Sequence, residues 1–116
     1  MSNEFWQLNQ PSAISNKHTP LVVVTGEIIP GGVVNVKVDV STLGHPNENS
    51  HHIQWIELRA NDLFIARVEF TPHITLPVAT FQVVVPKSCQ LEITAVERCN
   101  LHGLWVSEPV IIGGQV

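Results

Sequence analysis

Residues 34–40, VNVKVDV, alternate apolar and polar side chains without a break, and this constrains the fold more than any other feature of the chain. Successive side chains of an extended strand point to opposite faces. Val34, Val36, Val38 and Val40 therefore share one face, and Asn35, Lys37 and Asp39 the other. A strand of this kind needs a second layer to cover its valines. The same two-residue period recurs in LFIARVEF, where Phe64, Ala66, Val68 and Phe70 align, and in FQVVV, where Phe81, Val83 and Val85 do. LEITAVERC aligns Leu91, Ile93, Ala95 and Cys99, with Glu97 interrupting the apolar row. No stretch keeps apolar residues at i, i+3, i+4 and i+7 for the length of a helix.

Pro20, Pro30, Pro46, Pro72, Pro77, Pro86 and Pro109, with Gly31-Gly32, cut these runs to strand length. RANDLF reads as a hairpin turn at Asn61-Asp62. About seven short strands at such spacing predict an all-β fold, an antiparallel β-sandwich of immunoglobulin-like type. HHIQWIEL breaks the rule, because Ile53 and Trp55 lie on one parity and Ile56 and Leu58 on the other. Either a bulge shifts the phase or both faces are covered. Parity therefore leaves open which of His51 and His52 points inward.

A chain of 116 residues is sized for one domain with a core of its own. Residues 1–17 read as an N-terminal arm and residues 18–116 as the sandwich. With 44% hydrophobic and only 14% charged residues the domain is core-rich, and a net charge of −4 argues against a general nucleic-acid binder. The start, MSNEFWQLNQPS, has neither the basic nor the apolar region of a secretory signal, and no apolar run is long enough for a membrane span. The expected location is cytoplasmic, with no membrane partner. There, Cys89 and Cys99 are expected as free or metal-bound thiols, not a disulfide.

The six histidines are not scattered. His18 lies in NKHTP, and His45, His51 and His52 lie in HPNENSHHIQW. His102 follows Cys99 in CNLHGLW, and only His73 stands apart. Cys-x-x-His and His-x5-His are both metal-ligand spacings. Gly103 lets the backbone turn sharply after His102, so that thiolate and imidazole can face one ion.

HPNENSHHIQWIEL followed some fifty residues later by CNLHGLW, with KHTP upstream, resembles the iron centre of the superoxide reductases, the neelaredoxin and desulfoferrodoxin family. The likeness runs from about residue 17 to about residue 110, in the family's order. It implies the family's seven-stranded sandwich and one mononuclear iron held by His18, His45, His51 and His102, with Cys99 as axial thiolate. His52 is then not a ligand. The implied activity is one-electron reduction of superoxide to hydrogen peroxide, with electrons from a rubredoxin-like donor. A homodimer or homotetramer is implied as well.

Two departures stand out. Asn16 occupies the place where many members carry a glutamate that can reach ferric iron, and no Cys-x-x-Cys precedes the domain, which makes it the one-iron type.

The chemistry suits these residues. Five ligands exceed the four of a structural zinc site, and a thiolate opposite an open position pushes electron density toward a bound oxygen species. Lys17, beside His18, is expected to steer the anionic substrate inward. Trp55 and Trp105 are expected to wall the site, and Cys89 has no assigned role. A blue-copper electron carrier would share the sandwich and the Cys-x-x-His loop, but it usually adds a nearby axial methionine. The only methionine here is Met1. A non-catalytic immunoglobulin-like module with structural zinc is the other alternative.

Overall fold

The structure is a computed structural model that describes residues 18–41 and 44–113. Lys17, Asn16 and the rest of the expected arm lie outside the described residues. The strands are β1 (Leu21–Thr25), β2 (Val33–Asp39), β3 (Ile53–Ala60), β4 (Leu63–Glu69), β5 (Val78–Val84), β6 (Gln90–Cys99), β7 (Gly103–Val106) and β8 (Val110–Gly113). One sheet has the order β1-β2-β5; the other has the order β4-β3-β6-β7, with β8 also on β6. All pairings are antiparallel.

The valines of β2 do what their spacing demands. Val34, Val36 and Val38 are fully buried, and they share one core with Phe81 and Val83 of the same sheet and Ile56, Leu58, Ile93 and Ala95 of the other. Burying each such side chain contributes roughly 2 kcal/mol, so this two-layer core is what fixes the relative position of the strand ends.

Among the described residues eight strands appear where about seven were expected, and the difference is local. β7 pairs with Val96–Cys99 and β8 with Gln90–Ile93, so the two share one edge of β6 end to end. Pro109 stands between them and has no N–H to give the ladder. Ser107 spans the gap: its Oγ accepts from Ala95 N–H and its own N–H donates to Ala95 O.

Two register shifts decide which side chains face the core. One falls between Ile53 and Trp55 in the β3–β6 pairing. Beyond it Ile56, Leu58 and Ala60 point inward with Ile53, and Glu57 and Arg59 point outward. The phase break in HHIQWIEL is thus a bulge. It also turns Trp55 outward, where the Arg67 guanidinium lies 4.0 Å above its ring. The expectation that Trp55 walls the site is corrected by this bulge.

The second shift, between Leu58 and Arg59, inserts an extra residue in β4. Phe64 therefore pairs with Arg59 and is 60% exposed, whereas Ala66, Val68 and Phe70 pack on the core as expected. Asn61 and Asp62 both have positive φ, as a two-residue hairpin turn matching strand twist requires. No helix among the described residues is long and apolar enough to cross a membrane.

Candidate metal centre

Antiparallel order brings the start of β1, the end of β2, the start of β3, the end of β6 and the start of β7 to one pole of the sandwich. His18 precedes β1, His45 and His51 lie in the β2–β3 connection, Cys99 ends β6, and His102 sits in the β6–β7 turn. All five residues that the family resemblance implied meet there.

Each is held by local backbone chemistry. Glu48 and His51 exchange both N–H···O bonds across a tight turn, at 2.9 and 3.0 Å, which sets the base of His51. Gly103, at φ 82°, pairs with Cys99 and closes the short turn. A β-carbon is disfavoured in that left-handed conformation. The turn brings Cys99 Sγ to 3.8 Å from His102 Nδ1.

The imidazoles form a ring. His18 Nε2 lies 3.2 Å from His45 Nε2 and 3.2 Å from His102 Nδ1. Neighbouring rings stand nearly perpendicular: 82° for His18–His45, 74° for His45–His51, 76° for His51–His102 and 85° for His18–His102. His18 and His51, across the ring, are 6.4 Å apart and only 27° from parallel. The donor atoms of His18, His51, Cys99 and His102 all lie within 4.8 Å of one another. His45 joins through His18 and His51.

Proton counting tests whether a cation fits. His45 Nδ1 lies 2.7 Å from Pro46 O, so it carries the proton and Nε2 presents a lone pair. Burial, the largest cause, holds the His45 pKa down to about 4; the Pro46 carbonyl, next in size, pulls upward, and His18, His51 and His102 each add a weaker downward push. The ring is thus neutral at pH 7. One proton on His18 Nε2 could serve one of its two nitrogen neighbours, not both. A shared cation satisfies all of them. Cys99 is fully buried, and burial pushes its thiol up, while the Leu101 and His102 N–H groups pull it back. Ligation requires the thiolate, so a bound cation must displace that proton.

Trp105 packs against the site as a wall, as expected. Its ring stacks on His18 at 4.9 Å and 21°, and its Nε1–H donates to His102 O. His52 points elsewhere: its Nδ1 lies 3.1 Å from Glu48 O. Two anchors were not foreseen, the Pro46 carbonyl and Asn100. Asn100 links the Cys99 turn to the segment around His51, and its place directly after a strand's last residue is the one signal it gives. His51→Ala is expected to weaken metal binding by more than the roughly tenfold typical of a lost outer partner. His52→Ala should keep one metal per chain. Metal content after dialysis of both variants decides, and the reverse pattern would shift the register by one residue.

A two-layer β-sandwich with four imidazoles and a buried thiol at one pole is the framework of a small non-haem metalloprotein. The desulfoferrodoxin family profile matches residues 10–108, and the chain belongs to that family. The superoxide reductase of Pyrococcus horikoshii is 38% identical over 102 residues, covering 79% of this chain and 84% of the relative. Among solved structures, the superoxide reductase (neelaredoxin) of Ignicoccus hospitalis is 32% identical with a TM-score of 0.75, covering 90% of this chain and 88% of that one. The Archaeoglobus fulgidus superoxide reductase (neelaredoxin) in the reduced form is also 32% identical, with a TM-score of 0.71 and coverage of 91% and 98%.

Proposed function

We propose that this chain is a one-iron superoxide reductase, in which His18, His45, His51, His102 and Cys99 hold the metal. The observation that carries this reading is the ring of alternating imidazole planes closed by a buried thiol, in a chain of the desulfoferrodoxin family. Ferrous iron, when bound, supplies the one electron that superoxide takes up as it gains two protons and leaves as hydrogen peroxide.

The chain's residues do the rest. The Pro46 carbonyl holds the His45 proton on Nδ1 and leaves Nε2 as donor. Trp105 fixes the plane of His18 and shields that side from water. Cys99, with no solvent exposure, keeps its sulfur away from oxidants. Burial keeps the His45 ring neutral at pH 7, so its Nε2 is offered to a divalent cation with little competing protonation.

Lys17, adjacent to His18, is assigned to attracting the anionic substrate to an otherwise acidic protein. Lys17→Ala is expected to slow the encounter several-fold at low ionic strength, and to flatten its salt dependence, while leaving stability within about 0.5 kcal/mol. Pulse radiolysis at two salt concentrations measures this, and an unchanged second-order rate would leave Lys17 a solvated charge.

The oxidised centre must be re-reduced, and a rubredoxin-like one-electron donor fills that role. Cys89, an exposed free thiol, suits a reducing, cytoplasmic setting. The exposed Leu63, Phe64 and Ile65 on the edge strand β4 suit a homodimer or homotetramer.

The decisive experiment is metal analysis with an optical spectrum before and after oxidation, followed by stoichiometry of superoxide consumed against peroxide formed. Iron with a thiolate band in the oxidised form and one peroxide per superoxide is expected. Copper or zinc at one equivalent would overturn the assignment.

A further inference from the structure

The β3–β6 ladder runs from the Ile53–Cys99 pair to the Ala60–Ile93 pair, and each end is closed by an asparagine in the same way. At the metal pole, Asn100 N–H donates to His52 O at 3.1 Å, His52 N–H donates to Asn100 Oδ1 at 2.8 Å, and Asn100 Nδ2 donates to Ser50 O at 3.0 Å. At the other pole, Asn61 N–H donates to Glu92 O at 3.0 Å, Glu92 N–H donates to Asn61 Oδ1 at 2.8 Å, and Asn61 Nδ2 donates to Gln90 O at 3.3 Å. Both asparagines directly follow the last residue of a strand. In each case the side-chain amide supplies the hydrogen bonds that the next residues of a strand would have made.

The two clasps differ in what they hold. Asn61 ties a hairpin turn to β6, away from any of the five candidate ligands. Asn100 follows Cys99, and its partners Ser50 and His52 flank His51. It therefore grips the segment on both sides of one imidazole from the residue next to the thiol. Regular pairing has ended at Ile53, so past that point the relative position of His51 and Cys99 is set by this side chain. We propose that Asn100 is a positioning residue that fixes His51 against Cys99, and so sets the geometry between one imidazole and the thiolate.

The spectroscopic arm of the test rests on the iron reading above; the exchange arm rests on the hydrogen bonds alone. Asn61 is an internal control that removes the same bonds far from the metal. Its φ of 51° calls for glycine as the replacement, which keeps the backbone unstrained. Asn100→Ala is expected to weaken iron(II) binding about 10- to 100-fold and to move the thiolate band of the ferric protein. Asn61→Gly should lower unfolding stability as well, but leave affinity and band at their wild-type values.

Asn100→Asp keeps the acceptor for His52 N–H and loses the donor to Ser50. It should fold if the alanine variant does not, and show a smaller loss of affinity. Wild-type affinity and band position in the Asn100 variants would overturn the proposal. So would losses of affinity in Asn100→Ala and Asn61→Gly that merely track their losses of stability. A wild-type protein that takes up no iron would sink the iron reading instead, and amide exchange on the metal-free protein then decides. Exchange at His51 and His52 should accelerate in Asn100→Ala and not in Asn61→Gly; equal rates in all three proteins would overturn the clasp.

Discussion

Cys99→Ser is expected to lower superoxide reduction by more than the roughly 100-fold upper range for a lost outer partner of a metal ligand, while leaving a folded sandwich. The domain survives because the exchange is nearly isosteric, and burying a hydroxyl without a partner costs only about 1–3 kcal/mol. The activity fails for an electronic reason. A serine hydroxyl does not ionise under conditions where a metal-bound thiol does, so its electron push toward the substrate is lost. The four imidazoles remain in their ring and can still retain iron. The variant should then contain iron, lack the thiolate band and consume superoxide slowly. Iron-loaded Cys99→Ser with near wild-type turnover would sink the role of the thiolate.

Legibility of this chain tracks the physical range of the signal. β2 and β5 could be placed because alternation depends only on a residue's immediate neighbours, and Val34, Val36, Val38, Phe81, Val83 and Val85 are buried as their period requires. The hairpin at Asn61-Asp62 was legible for the same reason. Trp55 and Phe64 were misplaced because each sits beside a register shift. Such a shift is fixed by pairing between strands, and no single strand's pattern contains it. The cluster at one pole was legible through the family resemblance, since Cys-x-x-His and His-x5-His alone left His18 out, and antiparallel order then gathers the five residues. Its supports, the Pro46 carbonyl, the Trp105 stack on His18 and the Asn100 clasp, depend on three-dimensional neighbours. Only the site as folded shows them. For His51 against His52, parity alone was silent, and the family register pointed to the residue that now faces the other imidazoles.

Glu97, which interrupted the apolar row of β6, gives the protein a stability that depends on pH, and Glu97→Gln is expected to remove that dependence. Glu97 pairs with Ile56 across β3, so it points into the core; it is fully buried and neither carboxyl oxygen has a hydrogen-bond partner. An ionised carboxylate in that place is strongly disfavoured. Burial pushes its pKa up to about 9, from an ordinary value of 4.5. The folded-state value is raised, so this group's favourable contribution is complete below the unfolded value. It is then lost as pH climbs through the window between 4.5 and about 9. Within that window the slope is roughly 1.4 kcal/mol per pH unit. The glutamine variant has no proton to release. It should match the wild type near pH 5 and exceed it by several kcal/mol near pH 8, in denaturant unfolding followed by tryptophan fluorescence. The direction also suits the site, because an ionised Glu97 would place a like charge beside the Cys99 thiolate. Parallel stability curves for the two proteins across this range would show that Glu97 finds a partner for its charge in solution.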